Sequence, residues 1–384
     1  MEHHAESNLV PKALIPLRAE IDKIDHQILD LLGKRNAVVE QVAAVKKSTG
    51  FGIRDFTRER DLLVDRGQRA EDIGLRSEVI ESLFRVILWA SRDRQASLGA
   101  ELPKDMKPVT VSIIGGKGGM GQLMGTLFKE FGHTVLVGDL DTEESNGEVA
   151  SKADVVVISV PIASTLDVIE EVAPHCKEGA LLMDVTSTKT APLKTMMQSF
   201  SGSVIGTHPL FGPSVHSLQG QRIAVACGRD TNGWLPWLCD ILNARGLSIL
   251  ETTAKEHDEA MGIVQVLTHQ TTEVLGRTIQ QLDIDVQRTL EFTSPIYLME
   301  LLMTARHFAQ SADLYASIQM NNPETSIVLD ALHKAGDELR DIVLQKDHDA
   351  FRDIFESVHK HFGEFSEQAL EQSSFLIDRL VERE

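Results

Sequence analysis

A chain of 384 residues, 42% hydrophobic and 25% charged, has room for two or three domains and falls in the ordinary range of soluble globular proteins. Its net charge of −19 argues against nucleic acid as a partner. No apolar run reaches membrane-spanning length, so no membrane partner is expected. Cys176, Cys227 and Cys239 are widely spaced and odd in number, which gives neither a disulfide framework nor a metal pattern and fits a reducing, cytoplasmic setting.

Residues 1–8, MEHHAESN, lack the apolar core of a signal peptide and read as a flexible tail with solvated His3 and His4. Residues 9–97 read as a helical domain. They carry 16 Lys and Arg against 14 Asp and Glu, which leaves −21 for the rest of the chain. Leu17, Ile21, Ile24, Ile28, Leu31, Leu32, Val38, Val42 and Val45 form one apolar stripe, predicting a helix from Leu9 to Lys47 with Pro16 in its first turn. Gly50 and Gly52 end it. A second helix is expected over about 56–70 and a third from an N-cap at Ser77 to about Gln95. Two short helices cannot cover so long a stripe, so pairing with the same helix of another subunit is expected. Arg35 and Lys46, eleven residues apart, share a face of the long helix. Arg18 is rotated about 100° from them and would have to come from a partner. Asp55, Arg58 and Glu59 open helix two, and Ser91 and Gln95 share a face of helix three. The residues read either as solvated charge or as a cationic pocket for a small dicarboxylate.

These residues resemble the all-helical chorismate mutase family through LRAEIDKID (17–25), KR (34–35), VKK (45–47), RDFTRER (54–60) and SRDRQ (91–95). The resemblance implies an intertwined homodimer. In it Arg18 of the partner subunit, Arg35 and Arg58 would engage the carboxylates of chorismate. Lys46 and Gln95 would contact the ether oxygen and Glu59 the ring hydroxyl, with Asp55 and Ser91 completing the pocket. A pericyclic rearrangement needs no nucleophile, only a folded substrate and cations where charge develops on the breaking bond.

Residues 98–108, LGAELPKDMKP, read as a linker. Residues 109–250 alternate apolar strands (109–114, 134–138, 154–160, 180–185, 203–207, 222–226, 247–251) with helices (119–131, 164–173, 190–200, 232–245), predicting a doubly wound, mostly parallel Rossmann-type sheet. In VSIIGGKGGMG (111–121), Gly116, Gly118 and Gly121 have the dinucleotide-binding spacing G-x-G-x-x-G between a strand and a helix, with Gly119 and Met120 inside it. Asp139 closes the second strand eighteen residues after Gly121. An acid there binds ribose hydroxyls and repels a 2′-phosphate, so the cofactor is expected to be NAD. Ligands bind beyond the carboxyl ends of such strands. Ser159, Val160 and Pro161, then DVTSTK (184–189) with Ser187, then GTHPLFGP (206–213) with His208 all fall there. His208, braced by Pro209 and Pro213, is aimed at the cofactor crevice and suits proton transfer near neutral pH.

GTHPLFGP resembles the prephenate dehydrogenase family. That resemblance implies that His208 removes the C4 hydroxyl proton of prephenate while hydride passes to NAD and loss of CO2 aromatises the ring, with Ser187 orienting His208. Residues 251–384 are helical almost throughout, with apolar periodicity over 258–282, 294–309, 324–345 and 350–380, and would form a dimerising domain over the substrate cleft. EHD (256–258), His269, SPIY (294–297) and RHFAQ (306–310) match family positions. His257 and His269 would line the site and Arg306 would pair a prephenate carboxylate. Leu298 stands where the resemblance would place an arginine.

Together the segments resemble enzymes that fuse the two activities, making tyrosine precursors and inhibited by tyrosine. Two other readings stand beside this one: a dehydrogenase that prefers arogenate, and a dehydrogenase whose helical segment only dimerises or senses a ligand. The set Arg18, Arg35, Lys46, Arg58, Glu59 and Gln95 argues against the second, because a zipper has no use for it.

Overall fold

The computed structural model describes residues 11–99 and 106–381. The tail at 1–8 and linker residues 100–105 lie outside them.

Three helices form the N-terminal unit: α1 (Leu14–Thr49), α2 (Phe56–Asp72) and α3 (Ser77–Ser97). Gly50 ends α1 with φ 72°, where a side chain would be strained, and its N–H caps the Lys46 carbonyl. Asp55 caps α2 by accepting from Arg58 N at 2.9 Å. Ser77 is the first residue of α3 rather than its cap. That place falls to Arg76, which makes no side-chain cap. The expected stripe of α1 is uncovered within one chain, with Ile21, Ile28, Leu31 and Val38 exposed to 57, 50, 63 and 56%. That much apolar surface is more than a monomer leaves to water, as the sequence anticipates.

All seven expected strands form: β1 (Thr110–Ile114), β2 (Thr134–Gly138), β3 (Val155–Ile158), β4 (Leu181–Asp184), β5 (Ser203–Pro209), β6 (Arg222–Arg229) and β7 (Ser248–Glu251). Their order is β2-β1-β3-β4-β5-β6-β7, and every pairing is parallel except β5–β6. Strand residues alternate between two buried faces. Val111, Ile113, Val155, Val157, Leu181 and Met183 pack on α4 (Gly119–Glu130) and α8 (Trp234–Ala244). Ile114, Val156, Ile158 and Leu182 pack beneath α5 (Asn146–Ser151), α6 (Thr165–Val172) and α7 (Thr190–Ser199). Both faces being covered explains the nearly unbroken apolar strands. The helix α5 is an addition to the sequence reading. It is six residues long and held by a Ser145–Glu148 capping box.

The C-terminal unit is helical: α9 (Ala254–Met261), a π-helical segment (Gly262–Leu267), α10 (Thr268–Gln281), α11 (Val286–Leu290), α12 (Pro295–Phe308), α13 (Ala312–Asn321), α14 (Thr325–Gln345), α15 (His348–Phe362) and α16 (Phe365–Val381). The helical stretch expected over 350–380 forms two helices, divided at Gly363, whose φ is +55°. No helix among the described residues is long and apolar enough to cross a membrane.

Candidate active sites

The glycine turn follows β1 and is met by the loops after β3 and β5. Gly115 has φ +82°, and a Cβ there would stand 2.4 Å from the Ser159 carbonyl, so the loop after β3 closes directly on the turn. A Cβ at Gly121 would meet the Gly115 carbonyl at 2.4 Å, and one at Gly119 would meet Pro213 Cγ at 2.9 Å. The loop that follows His208 and β5 therefore abuts the start of α4. Gly118 is the N-cap of α4 and no side chain caps that end. This leaves N–H groups and the positive end of the helix for a pyrophosphate. Asp139 follows β2 and accepts from Lys117 N and Leu140 N, each at 2.9 Å. Lys117 Nζ pairs with Asp141 at 2.7 Å, so it faces the ribose side of the turn. Gly115, outside the G-x-G-x-x-G frame, is the most tightly constrained glycine of the turn. The residues fit a dinucleotide without a 2′-phosphate.

His208 sits near the end of β5, 3% exposed. Its Nδ1 lies 2.9 Å from His257 Nε2, and His257 Nδ1 lies 2.8 Å from Asp258 Oδ1. A carboxylate can only accept, so His257 donates from Nδ1, and with that ring carrying a single proton its Nε2 is an acceptor. His208 then carries its proton on Nδ1, and its Nε2 is left as the acceptor. Gln265 Nε2 lies 3.4 Å from that atom. Ser187 is half-buried on the loop after β4, and the partner of His208 Nδ1 is His257 rather than Ser187.

Asp258 is anchored from three sides. Its carboxylate accepts from Lys189 N at 2.8 Å and Thr190 N at 2.9 Å, at the start of α7, and its carbonyl accepts from Asn322 Nδ2 at 3.0 Å. Burial alone would raise its pKa, but the hydrogen bonds from His257, Thr190 and Lys189 outweigh it and hold the acid below the usual range. Lys189 is fully buried. It is paired with Asp184 and donates to the Thr207 carbonyl at 2.6 Å. Burial, with help from His257 and Lys189, drives the His208 pKa well below its ordinary value, and Asp258 only partly opposes this. His208 is thus a neutral imidazole with one basic nitrogen in the cleft. Asp258, Lys189 and Gln265 were not read from sequence as site residues. EHD held the first, and a lysine ordinarily signals surface.

His269 lies one helical turn beyond Gln265. Its ring is 4.8 Å from Tyr315 and 5.3 Å from His307. Burial pushes its pKa down. Arg306 is exposed on α12 and lowers the Tyr315 pKa against the larger effect of burial.

In the helical unit, Arg35 donates to Ser91 Oγ, which in turn donates to the Ile87 carbonyl at 2.6 Å. Burial lowers the Arg35 pKa. Gln95 is buried, with Nε2 on the Ser91 carbonyl at 3.1 Å and Oε1 buried with no partner among the described residues. Lys46 Nζ donates to the Ile53 carbonyl at 2.6 Å. Arg35, Ser91 and Gln95 gather where α1 and α3 meet, and Lys46 lies eleven residues along α1 from Arg35, at the loop that carries Ile53. Glu59 pairs with Arg92 at 2.6 Å, a partner the sequence did not single out, and Asp55 serves as the α2 cap. Arg58 is exposed. Arg18 is exposed too, and its seventeen-residue offset puts it about 26 Å along α1 from Arg35, outside this chain's own pocket.

Residues 17–96 match the family model for chorismate mutase type II. Residues 132–250 match the prephenate dehydrogenase nucleotide-binding domain, and 253–357 its dimerization domain. The T-protein of Haemophilus influenzae is 34% identical over 96% of this chain and 97% of its own length. The chain belongs to the T-protein family. It is a bifunctional enzyme of tyrosine biosynthesis, a chorismate mutase joined to a prephenate dehydrogenase, and it carries a dimerisation domain. Two solved structures share the fold of its dehydrogenase part. A prephenate dehydrogenase from A. aeolicus, solved with hydroxyphenyl propionate and NAD+, has a TM-score of 0.56 at 16% identity over 67% of this chain and 98% of its own. A Synechocystis arogenate dehydrogenase has a TM-score of 0.52 at 18% identity over 66% of this chain and 98% of its own. The model for the nucleotide-binding domain begins at residue 132, so the glycine turn at 111–121 rests on its own geometry.

Proposed function

We propose that His208 is the general base of the dehydrogenase and that the His257–Asp258 pair positions it. The observation that carries this is the hydrogen-bonded line Asp258–His257–His208, which makes Nε2 of a neutral His208 the acceptor. Prephenate lies with its C4 hydroxyl at that nitrogen, His269 along its length and Arg306 on a carboxylate. Gly116, Gly118, Gly119, Met120 and Gly121 hold the pyrophosphate of NAD, Asp139 the ribose, and Ser159 to Pro161 border the nicotinamide. When bound, NAD accepts the hydride. His208 takes the hydroxyl proton, the C4 carbonyl forms, and loss of CO2 leaves 4-hydroxyphenylpyruvate. The driving force is aromatisation, so the chain need only align base, substrate and cofactor. Ser187 is within the same loop cluster and contributes to substrate rather than to His208, whose Nδ1 is taken.

For the mutase we propose that Arg35, Lys46, Ser91 and Gln95 form the core of the pocket, with Arg58 and the partner's Arg18 closing it. The uncovered α1 stripe supports a homodimer. Asp55 and Glu59 shape the pocket through the α2 cap and the Arg92 pair. The fused mutase favours prephenate as the dehydrogenase substrate, since it makes it. Inhibition by tyrosine and a cytoplasmic setting are part of the proposal, the latter supported by three free cysteines. His208→Asn tests the base: kcat on prephenate falls by about 10³-fold while NAD affinity holds. An equal loss of NAD affinity refutes the role.

A further inference from the structure

Gln265, in the π-helical segment beside His208, is followed four and eight residues later by His269 and Glu273 on α10. The His269 ring packs on Tyr315 at 4.8 Å and His307 at 5.3 Å, so a substrate that runs from His208 along His269 has its other end toward Glu273. A cavity of about 350 Å³ lies there, walled in part by Glu273, His307, Tyr315 and Gln319. His307 Nε2 stands 2.9 Å from Glu273 Oε1, and Gln319 Nε2 donates to the same oxygen at 2.8 Å. His307 is buried and stacks on Tyr315 with ring centroids 3.8 Å apart, while the Glu273 side chain is 28% exposed. The clamp therefore fixes one carboxylate oxygen and presents the other to the cavity. Among the described residues no hydrogen bond reaches that second oxygen.

We propose that Glu273, clamped by His307 and Gln319, is a specificity determinant that reads the group beside the side-chain carboxylate of the substrate, keto in prephenate and amino in arogenate. This rests on His208 as the base, because that assignment fixes which end of the substrate lies at Glu273. A bare carboxylate attracts an ammonium and repels the negative side chain of a keto acid. Two donors on one oxygen draw off part of that field and let the keto acid in. Removing the carboxylate and removing its clamp therefore push selectivity in opposite directions.

The test is the ratio of kcat/KM for arogenate over prephenate, measured with NAD on one preparation of the full chain. The fraction of folded enzyme cancels from that ratio, so a partly unstable variant still reports. If arogenate is not turned over, its Ki against prephenate replaces its kcat/KM. Glu273→Gln lowers the ratio about tenfold, and His307→Leu raises it about tenfold, the scale of one hydrogen bond to a charge. A ratio within about twofold of the unaltered chain in either variant, or shifts in the same direction, overturns the proposal. His208→Asn run alongside separates the two claims: if it keeps its kcat, the base assignment falls instead.

Discussion

Asp258→Asn isolates the tautomer argument, because it changes one atom type and little volume. Asp258 makes His257 donate from Nδ1, which makes His208 donate from its own Nδ1 at 2.9 Å. An Asn can turn its NH2 toward His257 Nδ1, giving up the Lys189 N bond that shares the same oxygen. The line then reverses: His257 donates from Nε2, and His208 holds its proton on the nitrogen that faces the substrate. Restoring the productive tautomer costs about one charge-assisted hydrogen bond, ~1.5–3 kcal/mol. The imidazolium formed on proton uptake also loses its counter-charge, worth a similar amount, so kcat falls by about 10²–10⁴-fold. The same carboxylate caps α7 through Lys189 N and Thr190 N, so the melting temperature drops as well. Steady-state kinetics on prephenate with NAD, with NAD affinity by titration and mutase rate on chorismate as controls, separates these effects. NAD affinity and mutase rate should hold near their original values. If kcat stays within about threefold, the line does not set the base and the tautomer reasoning is wrong.

Further expectations follow from single features. Gly115→Ala forces a Cβ to within 2.4 Å of the Ser159 carbonyl at φ +82°, so NAD affinity should fall at least about tenfold with mutase activity unchanged; unchanged NAD titration would refute the cradle. His208, His133 and His269 all have folded pKa values below the unfolded one. Below about pH 6.5 the unfolded chain takes up protons that the folded chain refuses, so stability is full above that pH and declines as pH falls beneath it. Melting curves from pH about 7.5 to 5.5 should show that decline, and His208→Gln should flatten it; a flat profile in the unaltered chain would contradict the buried, neutral state.

Much of this was legible because apolar periodicity survives in the sequence. Val155–Ile158 and residues 181–183 are unbroken apolar runs since both faces are covered, and the α1 stripe is continuous along one face of the helix. Direction is not encoded that way, so β6 turning antiparallel to β5 could not be read. Nor could α5, whose six residues are fewer than two turns and depend on a Ser145–Glu148 box. In the site, GTHPLFGP and EHD singled out two histidines that the fold brings together, but the bond between His208 and His257 joins residues 49 apart and is settled by packing of α9 on the sheet. Lys189 was invisible for a different reason: its charge is buried only because Asp184 and the Thr207 carbonyl receive it.

One chain converts chorismate to prephenate and then oxidises that product. Purified enzyme given chorismate alone as substrate, with NAD, should form NADH after a lag while prephenate accumulates. Lys46→Ala should abolish NADH formation from chorismate yet leave it largely intact from prephenate. NADH formed from chorismate at an undiminished rate in Lys46→Ala would contradict the mutase pocket, and no NADH from either substrate in the unaltered chain would contradict the account as a whole.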